Sequence, residues 1–212
     1  MIVAAGPSLS DDQCAMLTER RAEDGCRVFV VNNAYRYVPT ADLLYACDFS
    51  WWKFHHGVRA TDGQPGVAAV CPRIEKYSCE NAAMRPYGTS LARLVPGRGI
   101  LEPGKSVQRE IRRGSGGGFQ AAGLAIAYGA TNIILVGMDC KKSRAGLSHR
   151  HGDHPLPLRN DQPFKTWADE FDSMAGPARQ YGIRIVNCSL DSAIRAIPVS
   201  DLERELWPST PT

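Results

Sequence analysis

The sequence predicts an α/β domain: a mostly parallel sheet covered by helices on both faces. Three observations carry that prediction. Short, continuous apolar runs alternate with longer amphipathic stretches, the pattern of buried parallel strands joined by crossover helices. Small and polar residues stand directly after most of the apolar runs, where the carboxyl ends of parallel strands present them to a ligand. The chain has 212 residues, 43% hydrophobic and 22% charged, enough for one core and a lid but not for two large domains. Residues 1–212 are therefore read as one domain.

The elements follow in order. "MIVAAG" is a first buried strand. "SLSDDQCAMLTERRAED" is a helix with Leu9, Cys14, Met16 and Leu17 on one side and Gly25 as its stop. "CRVFVVNNA" and "ADLLYACD" are the second and third strands, and "FSWWKFHHGV" a short aromatic helix. "GVAAVCP" reads as a fourth strand. Residues 73–113 scatter Pro, Gly and Arg and read as an irregular, lid-like insertion. "GGGFQAAGLAIAYGA" is a helix entered through glycines and stopped near Gly129, and "NIILVGMD" a strong fifth strand. Residues 140–162 are a polar loop. "PFKTWADEFDSMAGPARQYG" is a helix bent or broken at Gly176-Pro177. "IRIVNCS" is the sixth strand, and "SDLERELW" a last helix capped by Ser200.

Composition excludes some functions. A formal net charge of +3 is too small to argue for nucleic acid on electrostatics alone. No run of about 18 apolar residues reads as a membrane span, and the N-terminus lacks the pattern of a signal peptide. A cytoplasmic location is expected. Seven widely spaced cysteines without a C-x-x-C pair read as small buried hydrophobes in a reducing compartment.

The strand ends mark a polar small-molecule site: Gly6-Pro7-Ser8 after the first strand, Asn32 and Asn33 after the second, and Asp48 after the third. Asp139 follows the fifth, and Asn187 and Ser189 the sixth. Gly6-Pro7-Ser8 precedes a helix whose free N–H groups and dipole suit a phosphate, although it is neither a G-x-G-x-x-G nor a Walker loop. Ser115, Gly116, Gly117 and Gly118 form a second glycine-rich entry to a helix, with Arg112 and Arg113 just before it to steer an anion. The loop "LSHRHGDHPLPLRN" holds His149, His151, Asp153, His154, Arg159 and Asn160, suited to a base or a phosphate contact. No metal is expected there, because no cysteine lies close and nothing pins the ligands. His55-His56 reads as a surface pair at a helix end, Trp51 and Trp52 as packing, and Arg85 to Arg113 as either an acceptor groove or solvated surface.

"AAGPSL", "VNNAY", "GSGGGFQAAGLAIAYGATNIILVGMD" and "YGIRIVNCSLDSAIRAIP", in that order, resemble the Rossmann-like proteins that include the bacterial sialyltransferases of glycosyltransferase family 42. The likeness is closer to phage-encoded relatives grouped with the archaeal 6-hydroxymethylpterin diphosphokinase, and it spans roughly residues 2–200 with the middle unmatched. It implies a single Rossmann-like nucleotide-binding domain. A CMP- or UDP-type nucleotide sugar would lie on Gly6, Pro7, Ser8 and Asn32 or Asn33, with Ser115 and Gly116 lining the donor site; the residues themselves add Asp48 and Gly117 to the nucleotide site. His151 or His154, in the loop after the strand end at Asp139, would be the general base; the reading of the residues adds Asp139 as a catalytic candidate and Arg113, Arg159 and Asn160 as phosphate or acceptor contacts. The acceptor would be a modified DNA base or a surface glycan, in the host cytoplasm for a phage protein. The tyrosines that assist the sialyltransferase leaving group have no counterpart in "CKKSRAGLSHRHGDHP", which leaves the donor sugar open. The favoured reading is a metal-independent glycosyltransferase. The alternatives are a diphosphokinase-like enzyme using ATP and Mg²⁺ on Asp48, Asp139 and Asp153, and a non-catalytic nucleotide-binding module.

Overall fold

The computed structural model describes residues 1–23, 26–57, 63–104, 109–155, 158 and 162–208. Its main sheet is wholly parallel and has seven strands in the order β5-β4-β3-β2-β1-β8-β9. The strands are β1 (Ile2–Val3), β2 (Phe29–Val31), β3 (Leu43–Tyr45), β4 (Glu75–Ser78), β5 (Ser90–Leu91), β8 (Asn132–Val136) and β9 (Arg184–Asn187). A separate parallel pair, β6 (Arg93–Val95) and β7 (Glu110–Arg112), is braced by an Arg93–Glu110 ion pair at 3.0 Å.

Strands β1, β2 and β3, and the interior of β8 and β9, are unbroken apolar runs because both faces of the sheet are buried there. Ile2, Phe29, Val31, Leu43, Tyr45, Ile133, Leu135 and Ile185 enter one core. Their neighbours Val3, Val30, Leu44, Ile134, Val136 and Val186 enter the other. Each such side chain, fully buried, contributes about 1.5–3 kcal/mol. The first core is closed by α5 (Gly117–Ala127) and α6 (Phe164–Gln180), the second by α1 (Asp11–Ala22), α2 (Phe49–His55), α3 (Val67–Val70) and α7 (Leu202–Leu206). The architecture is α/β with a wholly parallel sheet covered by helices on both faces, as the alternation of elements predicted, and it is consistent with the Rossmann-like fold that the resemblance implied.

Helix α1 buries only Cys14 and Leu17, so its ends matter. Ser10 and Gln13 close a capping box there, worth about 1 kcal/mol. Gly25, expected to stop this helix, lies outside the described residues. Helix α5 does end at Tyr128 and the left-handed Gly129.

Several expectations are corrected. "GVAAVCP" is not a strand but α3, and Ala68 and Ala69 on it are exposed. Four apolar residues do not reveal a period. The place beside β3 is taken by β4, with Leu43 opposite Glu75 and Tyr45 opposite Tyr77. Residues 73–113 are accordingly not irregular: they hold β4, α4 (Met84–Tyr87), β5, β6 and β7. Helix α6 runs unbroken through Pro177. Helix α7 is capped by Asp201, whose side chain accepts from the Arg204 N–H, while Ser200 donates to Glu205.

The cysteines are also not all unpaired. Cys47 and Cys79 form a disulfide across 32 residues of sequence, because the β3–β4 register continues from Tyr45–Tyr77 to bring them opposite each other. Such a link contributes about 3 kcal/mol by restricting the unfolded chain. Cys14, Cys26, Cys71, Cys140 and Cys188 are free.

No helix among the described residues is long and apolar enough to cross a membrane.

Candidate functional site

The strand order reverses between β1 and β8: β2 to β5 extend to one side of β1, while β8 and β9 lie on the other. Ligands of open parallel sheets bind at this kind of switch point, outside the carboxyl ends of the strands. A cleft of about 570 Å³ opens there. Gly6, Pro7, Asn32, Asn33, Asp48 and Asp139 line it from the strand ends, and Ser115, Gly116, Gly117 and Gly118 from the start of α5. His149, His151 and His154 line it from the loop after β8. These sequence-predicted residues therefore come together in one place.

The two glycine-rich turns do so in an unexpected way. Each is already filled by a carboxylate of the protein. At the first, the Ser8 N–H donates to Asp139 Oδ2 at 3.4 Å. A Cβ on Gly6 would lie 2.0 Å from that oxygen and 2.4 Å from the Gly137 carbonyl, whose own acceptor role is with the Gly6 N–H at 3.1 Å. Glycine is needed for two chain segments to meet, not for a ligand to approach. Burial pushes the Asp139 carboxyl above the usual carboxylate range, with the Ser8 contacts acting against it. Ser8, expected to hold a nucleotide, does not line the cleft.

At the second turn, Glu170 from α6 caps α5. Its Oε1 accepts from the Ser115 N–H at 2.7 Å and the Ser115 hydroxyl at 3.0 Å, and its Oε2 from the Gly116 N–H at 3.3 Å. Gln120 holds the turn from within, donating to the carbonyls of Arg113 and Gly114 and accepting from the Tyr45 hydroxyl. The expected basic steering is not there. Arg113 is exposed and does not line the cleft, and Arg112 Nη1 donates to the Pro96 carbonyl at 2.6 Å. None of the described arginines from Arg85 to Arg113 lines the cleft either.

The histidine loop is pinned by the residue between its first two histidines. The Arg150 N–H donates to Ala5 and its Nη1 to Leu9, each at 2.9 Å; its Nη2 pairs with Asp11, and its guanidinium lies 4.6 Å from the Tyr37 ring centre. The three rings then gather, with centroids 4.6–5.0 Å apart and one ligand nitrogen of each within 4.8 Å of the others. Burial, reinforced by His154, pushes His149 down to about 4, and burial with the neighbouring imidazoles and Arg36 pushes His151 down to about 3. Burial lowers His154 too, against Asp153. All three are uncharged at neutral pH.

One tautomer follows from donor logic. An indole N–H only donates, so Asn33 turns Oδ1 to Trp51 Nε1 at 3.0 Å. Its amide then faces His151 Nε2, also at 3.0 Å, and that nitrogen carries the lone pair. His149 Nε2 meets the Gln162 amide at 2.7 Å. His154 Nδ1 is buried without a hydrogen-bond partner among the described residues.

Other expectations sort plainly. Trp51 and Trp52 are core, as predicted, and Trp51 also lines the cleft. His55 is not a surface residue: it is fully buried against Trp51 and Tyr35. Asn187 and Ser189 clamp β9 to β8, the Ser189 hydroxyl accepting from the Met138 N–H, and do not line the cleft. Asp48 lines the cleft with its carboxyl raised by burial and by Glu80. Arg159 and Asn160 lie outside the described residues. Sequence reasoning missed Glu170 and Gln162, polar residues of a helix and a loop outside any motif, and Gln120, which lies within the glycine-rich stretch but reads there only as part of its helix.

Comparison with protein-family models, with curated proteins and with solved structures finds no match to this chain.

Proposed function

We propose that the protein is a transferase acting on a nucleotide-activated donor, a glycosyltransferase in its most specific form. One observation carries this reading. A cleft of nucleotide size sits at the switch point of a parallel sheet and faces three imidazoles that are uncharged at neutral pH. Uncharged imidazole is the form that accepts a proton. We assign the base to His154, because His149 and His151 each have a ring nitrogen engaged by Gln162 or Asn33, while no side-chain hydrogen bond to a His154 ring nitrogen is seen among the described residues. Asn32 and Asp48 flank the donor, and Asp139 supports the turn beneath it rather than touching the reaction.

A second reading, a metal-dependent diphosphokinase-like transferase, is favoured by the filling of both N–H cradles with carboxylates. A phosphate meeting Asp139 and Glu170 needs a cation to hold it. Calorimetry with CMP, CDP, UDP, GDP and ATP, each with and without Mg²⁺, separates the two. Saturable binding of a cytidine or uridine nucleotide without metal, with turnover lost in His154→Ala, supports the glycosyltransferase. Binding of ATP only with Mg²⁺ supports the second reading. If no nucleotide binds, both fail.

A further inference from the structure

The loop histidines present a second chemistry. We infer that His149, His151 and His154 form a binding site for one divalent transition-metal ion of the zinc class. The inference rests on the loop's geometry and does not depend on the nucleotide reading.

The three ligands come from a six-residue segment, His149-Arg150-His151-Gly152-Asp153-His154. One nitrogen from each ring lies within 4.8 Å of the other two. Zinc–imidazole bonds of about 2.0–2.1 Å at tetrahedral angles need nitrogens about 3.3 Å apart. Each pair therefore closes by no more than about 1.5 Å, which side-chain rotation supplies without moving the backbone. The backbone is held at Arg150 by Ala5 and Leu9. The turn behind it is closed by the Gly152 N–H on the His149 carbonyl at 3.1 Å, with Gly152 in the left-handed region at φ +82°. The ligands thus have the anchorage that a loop by itself lacks.

The donor chemistry selects the ion. Three imidazoles suit zinc, copper, nickel or iron(II), and not magnesium, which takes carboxylate, phosphate and water oxygens. All three rings face the cleft, so a fourth position opens onto it. Three protein ligands with an open position are the arrangement of catalytic rather than structural zinc. His154 Nδ1 is buried without a hydrogen-bond partner among the described residues, and in the tautomer that leaves it unprotonated its lone pair is free for a cation. Gln162 Oε1 is likewise buried without a partner among the described residues. Turning that amide about places Oε1 on His149 Nε2–H and frees Nδ1 of His149 for the ion, the usual outer support of a metal-bound histidine. His151 behaves differently. Trp51 fixes Asn33, so the Nε2 lone pair that the ion needs is the one facing the Asn33 amide. Loading displaces that amide. In the loaded protein His154 would be a ligand, and the ion would supply the base instead, as the hydroxide left when its bound water gives up a proton.

The test uses the full chain, stripped by chelation and titrated with Zn²⁺ and Co²⁺ in the absence of nucleotide. One ion per chain is expected, with a visible Co²⁺ spectrum of low coordination number and no near-ultraviolet thiolate band. His149→Ala, His151→Ala and His154→Ala should each weaken binding at least tenfold. Asn33→Ala should bind the ion as tightly as the parent or more tightly, since it removes a competitor for His151. Circular dichroism of each stripped variant identifies any that fails to fold, and for those the corresponding Gln variant is titrated instead. Binding no tighter than millimolar overturns the site. So does a thiolate band, or stoichiometric binding that survives in the triple variant. A loss in Asn33→Ala equal to that of the histidine variants also overturns it. Metal binding without nucleotide binding would sink the proposed function and leave this site standing; the reverse would do the opposite.

Discussion

The two glycine-rich turns look alike in sequence and differ in what fills them. The Gly6 turn closes on Asp139, which is buried and wedged between two strand ends. The Ser115–Gly116 turn closes on Glu170, whose carboxylate reaches in from α6 at a partly exposed site. The first carboxylate is buried where the cleft meets the strand ends. The second is held by three polar contacts and can be displaced. If the proposed function holds, a phosphate in the cleft would therefore be expected to use the N–H groups at α5 rather than those of the Gly-Pro-Ser turn.

The largest expected effect breaks the first turn. Gly6→Ala puts a Cβ 2.0 Å from Asp139 Oδ2 and 2.4 Å from the backbone of Gly137, so a strand end must move. Gly116→Ala meets only the Trp167 ring, at 3.0 Å, and a side chain can shift. Urea denaturation should show a cost of about 3 kcal/mol or more for Gly6→Ala and about 1 kcal/mol for Gly116→Ala. Equal costs would mean the two turns are equally rigid, and the contrast would be lost.

The histidine loop is fastened to the first turn at Ala5 and Leu9, so acid should loosen that side of the cleft first. Folding holds His149 and His151 below the ordinary value of 6.5, so only the unfolded chain takes up their protons as the pH falls through it. Their contribution is complete above pH 6.5 and is lost progressively toward about 4 and about 3. Denaturation of the metal-free protein should show a loss on the order of 6 kcal/mol from pH 7 to pH 4. His151→Gln should lose roughly half as much over that range. A wild-type stability that is flat from pH 7 to pH 4 would mean the rings are not buried as described.

Much of this was legible in the sequence, for physical reasons. Strands buried on both faces must be apolar at every position, so β1, β2, β3, β8 and β9 announced themselves. The strand-end residues Asn32, Asp48 and Asp139 were legible because the switch point collects them. Strands β4 to β7 were not, since Glu75 and Lys76 or Arg93 and Glu110 sit toward the edges, where polar residues are tolerated. The Cys47–Cys79 pair depends on the register of two strands that spacing does not reveal. Glu170 gave no signal, because a carboxylate inside an amphipathic helix looks like solvated surface until a second helix begins beside it.

Glu170→Gln sharpens the comparison at the second turn. The amide keeps one acceptor and loses the charge that opposes an incoming anion at the helix dipole. Inorganic phosphate should bind about threefold to tenfold more tightly, at a stability cost of about 1 kcal/mol. Calorimetric titration with phosphate reads the first and denaturation the second. Unchanged phosphate affinity would place the anion elsewhere in the cleft.

Asp139→Asn should do the reverse, and with the smallest effect. Burial raises the Asp139 carboxyl above its ordinary 3.8, so the folded state prefers the protonated acid. The stability this group offers is present below pH 3.8 and is lost as the pH climbs through the raised value, leaving a desolvated charge at pH 7. Asparagine keeps the size, offers an oxygen to the Ser8 N–H and carries no charge. The variant should be more stable than the parent by up to about 1 kcal/mol at pH 7, and the gain should shrink to nothing in acid. Phosphate affinity should not change, because the Gly6–Gly137 contact still closes the turn. Destabilisation at pH 7, or a phosphate site opened by the substitution, would show that the first turn is held by the charge of Asp139. The two turns would then be variants of one displaceable cradle.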